Sequence, residues 1–561
     1  RDELFQISKE DLFETCLSIL RLQERQRIAL FLRHDRFGRY ISCLVYVPRE
    51  RFGTGIRKTI GKILERELQG TLANFYTSMD DSLFARAMFI INISQKNPPK
   101  YNVKMIEEKL REAGQTWQER LNGAFSEVME DQTEITRMTL KYGDAFSNAY
   151  ADRYTAKQAL FDIQKIEECI ATGQIAIDIY KPHDAAENEL RLKLYNLSKP
   201  FNLSDIMPIL EDLGLWAISE LPFQVKPAGY DSSVWVQDLL LRADMLKGTP
   251  LPEIKESFES AFKDIWYGRL ENDSLNKLLI GARLTGREIT IVRSYVRYLR
   301  QIQFPFSRSY IHAALNANPK IARLLVELFT ALFDPAKHRK SELLTENISS
   351  TIDTELEKVE SLDHDRILRT LRALVLATLR TNYYQRDSAG LPKVYLSHKL
   401  DCSQIPELPE PRPFRETFVY SPRVEAIHLR GDKIARGGIR WSDRHEDFRT
   451  EVLGLMKAQM VKNAVIVPMG AKGGFVVKKK ITDRNAYREE GVECYRTLIR
   501  GLLDLADNMK GSKVIPPRDV RRRDGDDPYL VVAADKGTAT FSDIANKISV
   551  EEYGFWLGDA F

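Results

Sequence analysis

The segment ARGGIRWSDRHEDFRTEVLGLMKAQMVKNAVIVPMGAKGGF, residues 435–475, brings glycine pairs, charged residues and an apolar run together. Its run AVIVPM is short, apolar and rich in β-branched residues, which predicts a strand buried on both faces of a sheet. The sequence GAKGG follows this run, so Lys472 is predicted to lie on a loop at the end of a strand. The segment therefore predicts an α/β sheet with a charged group at one strand end.

A helix is predicted inside the same segment. Asp443 and Glu446 have the spacing of a capping box at its start. Its apolar residues follow at helical spacing: Phe448, Val452, Leu455 and Met456. Gln459 and Lys462 lie one turn apart near its end, so they are expected on neighbouring positions of its surface.

Two arginines flank the first glycine pair of this segment. Gly437 and Gly438 permit close backbone approach, which would bring Arg436 and Arg440 together. Two guanidinium groups so placed suit a bidentate grip on a carboxylate.

A second strand end downstream carries a carboxylate. The apolar run YLVVAAD ends on Asp535, and Thr538 is expected to start the next helix. Ligands of open α/β sheets bind beyond the carboxyl ends of strands, so Lys472 and Asp535 are candidates to face one cleft. A lysine in a closed site can polarise a carbonyl or imine, and a nearby carboxylate can transfer protons. The same residues also suit a tight surface turn and a helix cap, and GAKGG is not a phosphate-binding Walker loop.

The amino-terminal half predicts two small α/β units. Residues 27–93 have the pattern of two strands, a helix and two strands, and residues 102–170 predict a helical connector whose aromatic positions belong to the core. Alternating apolar residues from Gln174 onward predict further strands. Ser204 is expected to cap a short helix that Gly214 ends.

Residues 251–386 are predicted to be helical almost throughout. One buried stripe is formed by Leu368, Leu371, Val375 and Leu379. Four prolines then predict an extended stretch at a domain boundary: Pro406, Pro409, Pro411 and Pro413.

Composition excludes several classes of protein. The net charge of +4 comes from 83 basic and 79 acidic residues. This near balance gives no overall positive electrostatic field that would attract nucleic acid. Five widely spaced cysteines argue against a disulfide framework and favour the cytoplasm. No apolar run is long enough to cross a membrane, and the histidines lack the spacing of a metal site. Because the chain starts at Arg1 and stops after an apolar run, we expect a fragment of a longer protein.

The sequences RGGIRWSDR, EDFRTEVLGLMKAQMVKNAV and GAKGGF resemble the large NAD-specific bacterial type of glutamate dehydrogenase. The resemblance is dense over residues 420–561. Upstream, FGRYISCLVYVPRERF and the later strand-helix-strand unit are similar to the ACT-like, amino-acid-sensing modules of that family. The resemblance implies an α/β multidomain protein with ACT-like sandwiches, helical connectors and a substrate domain, and with the Rossmann domain not represented.

The expected domains run in chain order: an ACT-like module over 1–97, a helical connector over 98–170, a second ACT-like module over 171–245, a helical region over 246–386 and the substrate-binding part of the catalytic domain over 387–561.

The resemblance also assigns roles to residues. Lys472 matches the catalytic lysine, and Asp535 matches the aspartate that transfers protons to and from the amino group. Lys462 matches the lysine that binds the α-carboxylate, with Gln459 beside it. Arg436 takes the place of a lysine that binds the γ-carboxylate in smaller members, which changes the geometry of that charge. The interval between Lys462 and Lys472 is shorter than in those members.

The implied reaction is the reversible, NAD-dependent oxidative deamination of glutamate to 2-oxoglutarate and ammonium. No G-x-G-x-x-G follows a strand, so we expect that the cofactor domain is not represented in these residues. The resemblance implies that this domain follows Phe561. An amino-acid effector and a homo-oligomer are also implied. Two alternatives stay open: a regulatory and assembly region without activity of its own, and an unrelated Schiff-base enzyme that uses Lys472.

Overall fold

The computed structural model describes residues 7–22, 27–79, 82–94, 100–183, 185–246, 250–462, 469–558 and 561. The chain divides into two compact units. The first comprises Arg1–Ala176, Tyr195–Lys199 and Pro222–Val236, and the second comprises Ile177–Leu194, Pro200–Leu221 and Gln237–Phe561.

A four-stranded antiparallel sheet with one helix across it follows an initial helix. The elements are α1 (Lys9–Leu22), β1 (Ala29–His34), β2 (Tyr40–Pro48), α2 (Thr54–Glu67), β3 (Thr71–Ser78) and β4 (Phe84–Asn92). The strand order is β1-β2-β4-β3. Ile60 and Leu64 of α2 are buried in one cluster with Val45 and Phe89. The predicted order of two strands, a helix and two strands is confirmed.

Five helices follow: α3 (Val103–Ala113), α4 (Trp117–Val128), α5 (Gln132–Tyr142), α6 (Asn148–Arg153) and α7 (Ala156–Thr172). Capping boxes formed by Thr116 with Glu119 and by Thr155 with Gln158 begin α4 and α7. Tyr142 and Tyr150 lie in the hydrophobic core of this region. The expectation that these aromatic positions belong to the core is confirmed.

The next elements are β5 (Ala176–Tyr180), β6 (Glu189–Leu197), α8 (Leu203–Asp212), β7 (Trp216–Val225) and β8 (Val234–Arg242). The four strands form a second sheet with the order β5-β6-β8-β7. Asn202 precedes the first residue of α8, so Ser204 lies inside the helix and the cap expected there is wrong. Gly214 has a φ of +83° just after α8, a conformation that favours glycine, as expected.

Seven helices follow in the second unit: α9 (Lys255–Trp266), α10 (Leu278–Gly281), α11 (Gly286–Gln301), α12 (Arg308–Ala317), α13 (Pro319–Phe333), α14 (Ser341–Leu356) and α15 (Leu362–Ala377). Short helical turns cover Arg49–Arg51, Asp244–Leu246, Leu251–Glu253, Ser274–Lys277, Pro335–Lys340, Cys402–Gln404 and Ile548–Glu552. The predicted helical region is confirmed, except that Leu379 lies on a strand rather than on α15.

The remaining elements are β9 (Thr378–Thr381), β10 (Leu396–Asp401), β11 (Arg415–Tyr420), β12 (Val424–Arg430), β13 (Gly437–Trp441), α16 (Phe448–Lys462), β14 (Ala471–Val477), α17 (Arg484–Leu503), β15 (Asn508–Lys510), β16 (Lys513–Ile515), β17 (Val532–Ala534) and α18 (Ser542–Lys547). Seven of these strands form a mixed sheet with the order β17-β13-β14-β12-β11-β10-β9. Strand β13 runs parallel to both neighbours, β14 and β17. The core contains Leu498 and Ile499 of α17 with Phe475 of β14.

The four prolines lie between β10 and β11, which pair antiparallel within this one sheet. They therefore connect two neighbouring strands, and the boundary expected at the prolines is wrong. The predicted α/β multidomain class is confirmed by the sheets and their covering helices.

Within the described part of the chain, no helix has the length and apolar character needed to span a membrane. All five cysteines have free thiols. The described residues contain no group of three or more histidine, cysteine, aspartate or glutamate side chains suited to hold a metal ion.

Candidate active site

An ion pair joins the two strands on either side of β13. Lys472 is the second residue of β14, and Asp535 directly follows β17. The Nζ of Lys472 lies 2.7 Å from Oδ2 of Asp535. About a fifth of each side chain is exposed, 18% for Lys472 and 19% for Asp535. The two side chains contact each other at neighbouring strand positions, and their expected place in one cleft stays a prediction. The expected loop for Lys472 is wrong, because the residue is held by strand pairing opposite Leu429.

The side chains of Lys472 and Asp535 meet over β13 at Gly438, which has no side chain to separate them. Gly438 pairs with Ala533 on β17, and a Cβ on it would lie 2.7 Å from the carbonyl oxygen of Ala534 and 3.0 Å from Cβ of Asp535. Any larger residue would therefore occupy the space beside the Asp535 side chain.

Asp535 is fixed by further hydrogen bonds. The Lys536 N–H donates to Oδ1 of Asp535 at 2.7 Å, and the Asp535 N–H donates to the Thr538 hydroxyl at 3.1 Å. Burial raises the pKa of Asp535, but the hydrogen bonds from Lys472 and Lys536 outweigh it, so the pKa lies below its ordinary value. Asp535 is therefore a carboxylate at neutral pH.

Thr538 was expected to start a helix, and this is wrong, because α18 begins only at Ser542. The buried hydroxyl of Thr538 instead donates to the carbonyl oxygen of Ile439 on β13 at 2.6 Å. Thr538 thus ties the turn after β17 to the neighbouring strand.

Arg440 is engaged by carboxylates of the protein itself. Its Nη1 lies 3.0 Å from Oε1 of Glu451, and its Nη2 lies 3.5 Å from Oδ1 of Asp535. The Ser442 hydroxyl donates to the other oxygen of Glu451 at 2.6 Å. Arg440 therefore supports Asp535, and the joint grip of Arg436 and Arg440 on a carboxylate stays a prediction. Sequence reasoning missed Glu451, although it stands one helical turn after the start of α16.

Arg436 stands exposed before β13, and its Nε donates to the Tyr529 hydroxyl at 3.0 Å. Across the described residues it has no carboxylate partner, so the rest of its guanidinium can meet an anion. Tyr529 is a second residue that sequence reasoning missed, since an isolated tyrosine in a loop carries no pattern.

Gln459 of α16 anchors the start of β13. Its Nε2 donates to the Arg436 carbonyl at 2.8 Å, while its Oε1 is buried and has no hydrogen-bond partner among the described residues. A Cβ on Gly437 would overlap the carbonyl oxygen of Ala471, and one on Gly470 would lie 2.8 Å from Oε1 of Gln459. The two glycines therefore allow β13 and β14 to lie close together and allow the Gln459 side-chain amide to pack against them.

Three expectations concern the ends of α16. The helix begins at Phe448, and the N–H groups of Thr450 and Glu451 donate to the Asp447 carbonyl, so the capping box of Asp443 and Glu446 is wrong. Lys462 is the last residue of α16, and its side chain lies outside the described residues. The strand expected for AVIVPM also lies outside them, apart from Met469.

Family models match most of the chain. The model of the bacterial NAD-glutamate dehydrogenase catalytic domain matches residues 351–561. Glutamate dehydrogenase models match the other regions: helical motif 1 over 1–25, the ACT2 domain over 29–118, helical motif 2 over 131–169, the ACT3 domain over 174–251 and helical motif 3 over 270–335. The chain belongs to the bacterial NAD-glutamate dehydrogenase family.

Relatives in this glutamate dehydrogenase family match the whole chain. NAD-specific glutamate dehydrogenase of Halomonas elongata is 48% identical over 563 residues, which cover 100% of this chain and 35% of the relative. The proteins of the same name from Pseudomonas aeruginosa and Mycobacterium tuberculosis are 44% and 42% identical, again over 100% of this chain and over 35% and 36% of their own lengths. The chain thus spans about a third of these relatives.

Proposed function

We propose that this chain supplies the substrate-binding side of an NAD-dependent glutamate dehydrogenase. The observation that carries the proposal is the ion pair of Lys472 and Asp535 across β13. The reaction converts glutamate, NAD⁺ and water into 2-oxoglutarate, ammonium, NADH and a proton, and it is reversible. The names of the relatives and the catalytic-domain match support this choice of substrate and cofactor.

Asp535 is proposed to move protons at the amino group of the substrate. Its lowered pKa keeps it ionised, so Oδ2 can accept a proton from the substrate ammonium and return it later. Lys472 Nζ, 2.7 Å from that oxygen, is proposed to polarise the substituent on the α-carbon and to orient the water that attacks it.

The anionic groups of glutamate need cationic partners. Arg436 is exposed with part of its guanidinium free, so it is proposed to bind the γ-carboxylate. Lys462 at the end of α16 is proposed to bind the α-carboxylate, with Gln459 beside it. Gly437 and Gly438 are proposed to lie beside the substrate, and their lack of side chains lets β13 approach β14 and β17 closely.

The residues present do not fit NAD itself. The sequence contains no glycine-rich phosphate loop of the dinucleotide-binding type. Near the end of β13, Arg440 is held by the carboxylates of Glu451 and Asp535, whose negative charge does not suit a phosphate. NAD would accept the hydride from the α-carbon, and we assign no step of this chain's residues to it.

Cytoplasmic location, an amino-acid effector and a homo-oligomer are part of the same proposal. The edge strands β3 and β7 support assembly because they expose apolar side chains, including Tyr76, Trp216 and Ile218.

Glutamate-dependent reduction of NAD⁺ tests this function. We expect no NADH formation by the 561-residue chain alone. A longer protein, which contains this chain and has the length of the relatives, should form NADH. If the extended protein also fails to reduce NAD⁺ with glutamate, the proposed function is wrong.

A further inference from the structure

A polar cavity of about 480 Å³ lies in the second unit, away from the Lys472 and Asp535 pair. Its walls come from the end of α8, the end of α11, the start of α12 and the loop before α16. The volume is within the range of about 300–1,000 Å³ that small-molecule sites occupy.

One wall of the cavity carries a histidine with an unused nitrogen. His312 is only 3% exposed, and its Nδ1 shares a hydrogen bond of 3.0 Å with the Ser274 hydroxyl. The other ring nitrogen, Nε2, is buried and has no hydrogen-bond partner in the described chain. Burial lowers the pKa of His312 to about 4, so the ring is neutral at neutral pH. Leaving such a nitrogen unpaired is unfavourable unless a ligand meets it.

Two opposite charges of the cavity are also without partners. Asp212, the last residue of α8, and Arg308, the first residue of α12, make no ion pair or side-chain hydrogen bond with any described residue. Burial and the neighbouring Asp273 raise the pKa of Asp212 more than the nearby Lys277 and Arg293 lower it, so a further cation beside Asp212 would relieve repulsion.

The remaining charges of the cavity are mostly neutralised inside the protein. Arg300 pairs with Glu446, Asp273 pairs with Arg293, and Arg297 pairs with Glu271. Glu425 lies between Arg297 and Lys478 and is within ion-pair distance of both. What the cavity lacks is therefore one cation for Asp212, one anion for Arg308 and one hydrogen-bonding group for His312.

We propose that this cavity binds a small zwitterionic metabolite, with its ammonium group at Asp212 and its acidic group at Arg308 and His312. The start of α12 favours the acidic group, because Ser307 caps a ten-residue helix whose first N–H groups carry partial positive charge. Ser309 adds a hydroxyl to the same wall.

The cavity is connected to the helix that holds the candidate active site. Gln301 Nε2 donates to the His445 carbonyl at 3.0 Å, and the Arg449 N–H donates to Oε1 of Gln301 at 3.3 Å. Both contacts fix the start of α16, whose other end carries Gln459. A ligand beside His445 would thus act on the position of α16.

Binding can be measured with the 561-residue chain by thermal shift and ligand-observed NMR. The probes are unbranched ω-amino acids from glycine to 6-aminohexanoate, which vary the separation of the two charges. Propionate and propylamine, at matched ionic strength, carry one charge each. We expect at least one amino acid to bind and stabilise the chain, and neither single-charge probe to do so.

Substitutions locate the site. Arg308→Gln and Asp212→Asn should each weaken binding of the best amino acid roughly tenfold or more, since each removes one charged partner. Glu211→Gln, next to Asp212, and Arg518→Gln, whose side chain is 95% exposed, are the matched controls and should not change binding. His312→Phe should weaken binding while the fold is retained, as judged by circular dichroism.

The proposal fails if no amino acid of the series binds, if propionate binds as well as the best amino acid, or if Arg308→Gln and Asp212→Asn bind like the controls. These outcomes do not depend on dehydrogenase activity.

Discussion

Asp535 is the residue at which the contacts of the candidate site meet: Lys472, Arg440 and the Lys536 N–H all approach its carboxylate. The sequence alone could nominate Lys472 and Asp535, because each stands beside a short apolar run. It could not reveal Glu451, which reaches the site because α16 packs against β14 and β12.

Thr538→Val tests how Asp535 is held. Valine keeps the shape but removes the hydroxyl that accepts from the Asp535 N–H and donates to the Ile439 carbonyl. We expect a loss of unfolding free energy of about 1–3 kcal/mol, because buried polar groups lose their partner. Urea denaturation would measure it, with the exposed Thr136→Val as the control. Equal stability of Thr538→Val and the parent chain would contradict the structural role.

His428 predicts a pH dependence of stability. Burial lowers its pKa to about 3, whereas an unfolded histidine titrates near 6.5. Between these values the unfolded chain binds a proton that the folded chain excludes, so stability falls as pH falls, by about 1.4 kcal/mol per pH unit for this group.

His428→Leu should reduce that slope, measured from denaturation midpoints between about pH 4.5 and pH 6.5. The exposed His183→Leu should leave the slope unchanged. An unaltered slope in His428→Leu would show that this residue does not stay neutral in the fold.

At the scale of elements, strand β13 depends on glycine. Gly437→Ala should weaken the sheet strongly, because the new Cβ would overlap the Ala471 carbonyl. Gly454→Ala is the matched control: it lies on α16 with no atom within 4 Å of the added Cβ, and it should stabilise the helix by up to about 1 kcal/mol. Thermal unfolding of both variants would measure the difference, and equal melting temperatures would refute the close strand approach.

Elements with strong periodicity were predictable from sequence, as in β1 to β4 and in α11 to α15. The predictions were wrong where pairing between distant segments determines the secondary structure. The prolines between β10 and β11 have the composition of a linker, yet the strands on either side pair with each other. Lys472 has the glycine neighbours of a loop, yet pairing with Leu429 places it in a strand. No local pattern encodes either pairing partner.

At the scale of the whole molecule, exposed apolar residues on β7 predict self-association. Ile218 is 55% exposed on this edge strand, and Ile218→Lys should reduce the assembly to smaller species, because a lysine opposes pairing at a sheet edge. Light scattering after size-exclusion chromatography would measure the mass. Leu140→Lys, at a 66% exposed position on α5, is the control and should not change it. A parent chain that is already monomeric would contradict assembly through β7.

The most direct test of the central proposal is the rate of glutamate oxidation by the protein extended to the length of its relatives, with Lys472→Ala compared against Lys480→Ala. Lys480 is an exposed residue just beyond β14, so its loss should leave the rate unchanged. Loss of Lys472 should lower kcat by about 10²–10⁴-fold with the fold intact. Near-parental kcat in Lys472→Ala would contradict the role proposed for the Lys472 and Asp535 pair.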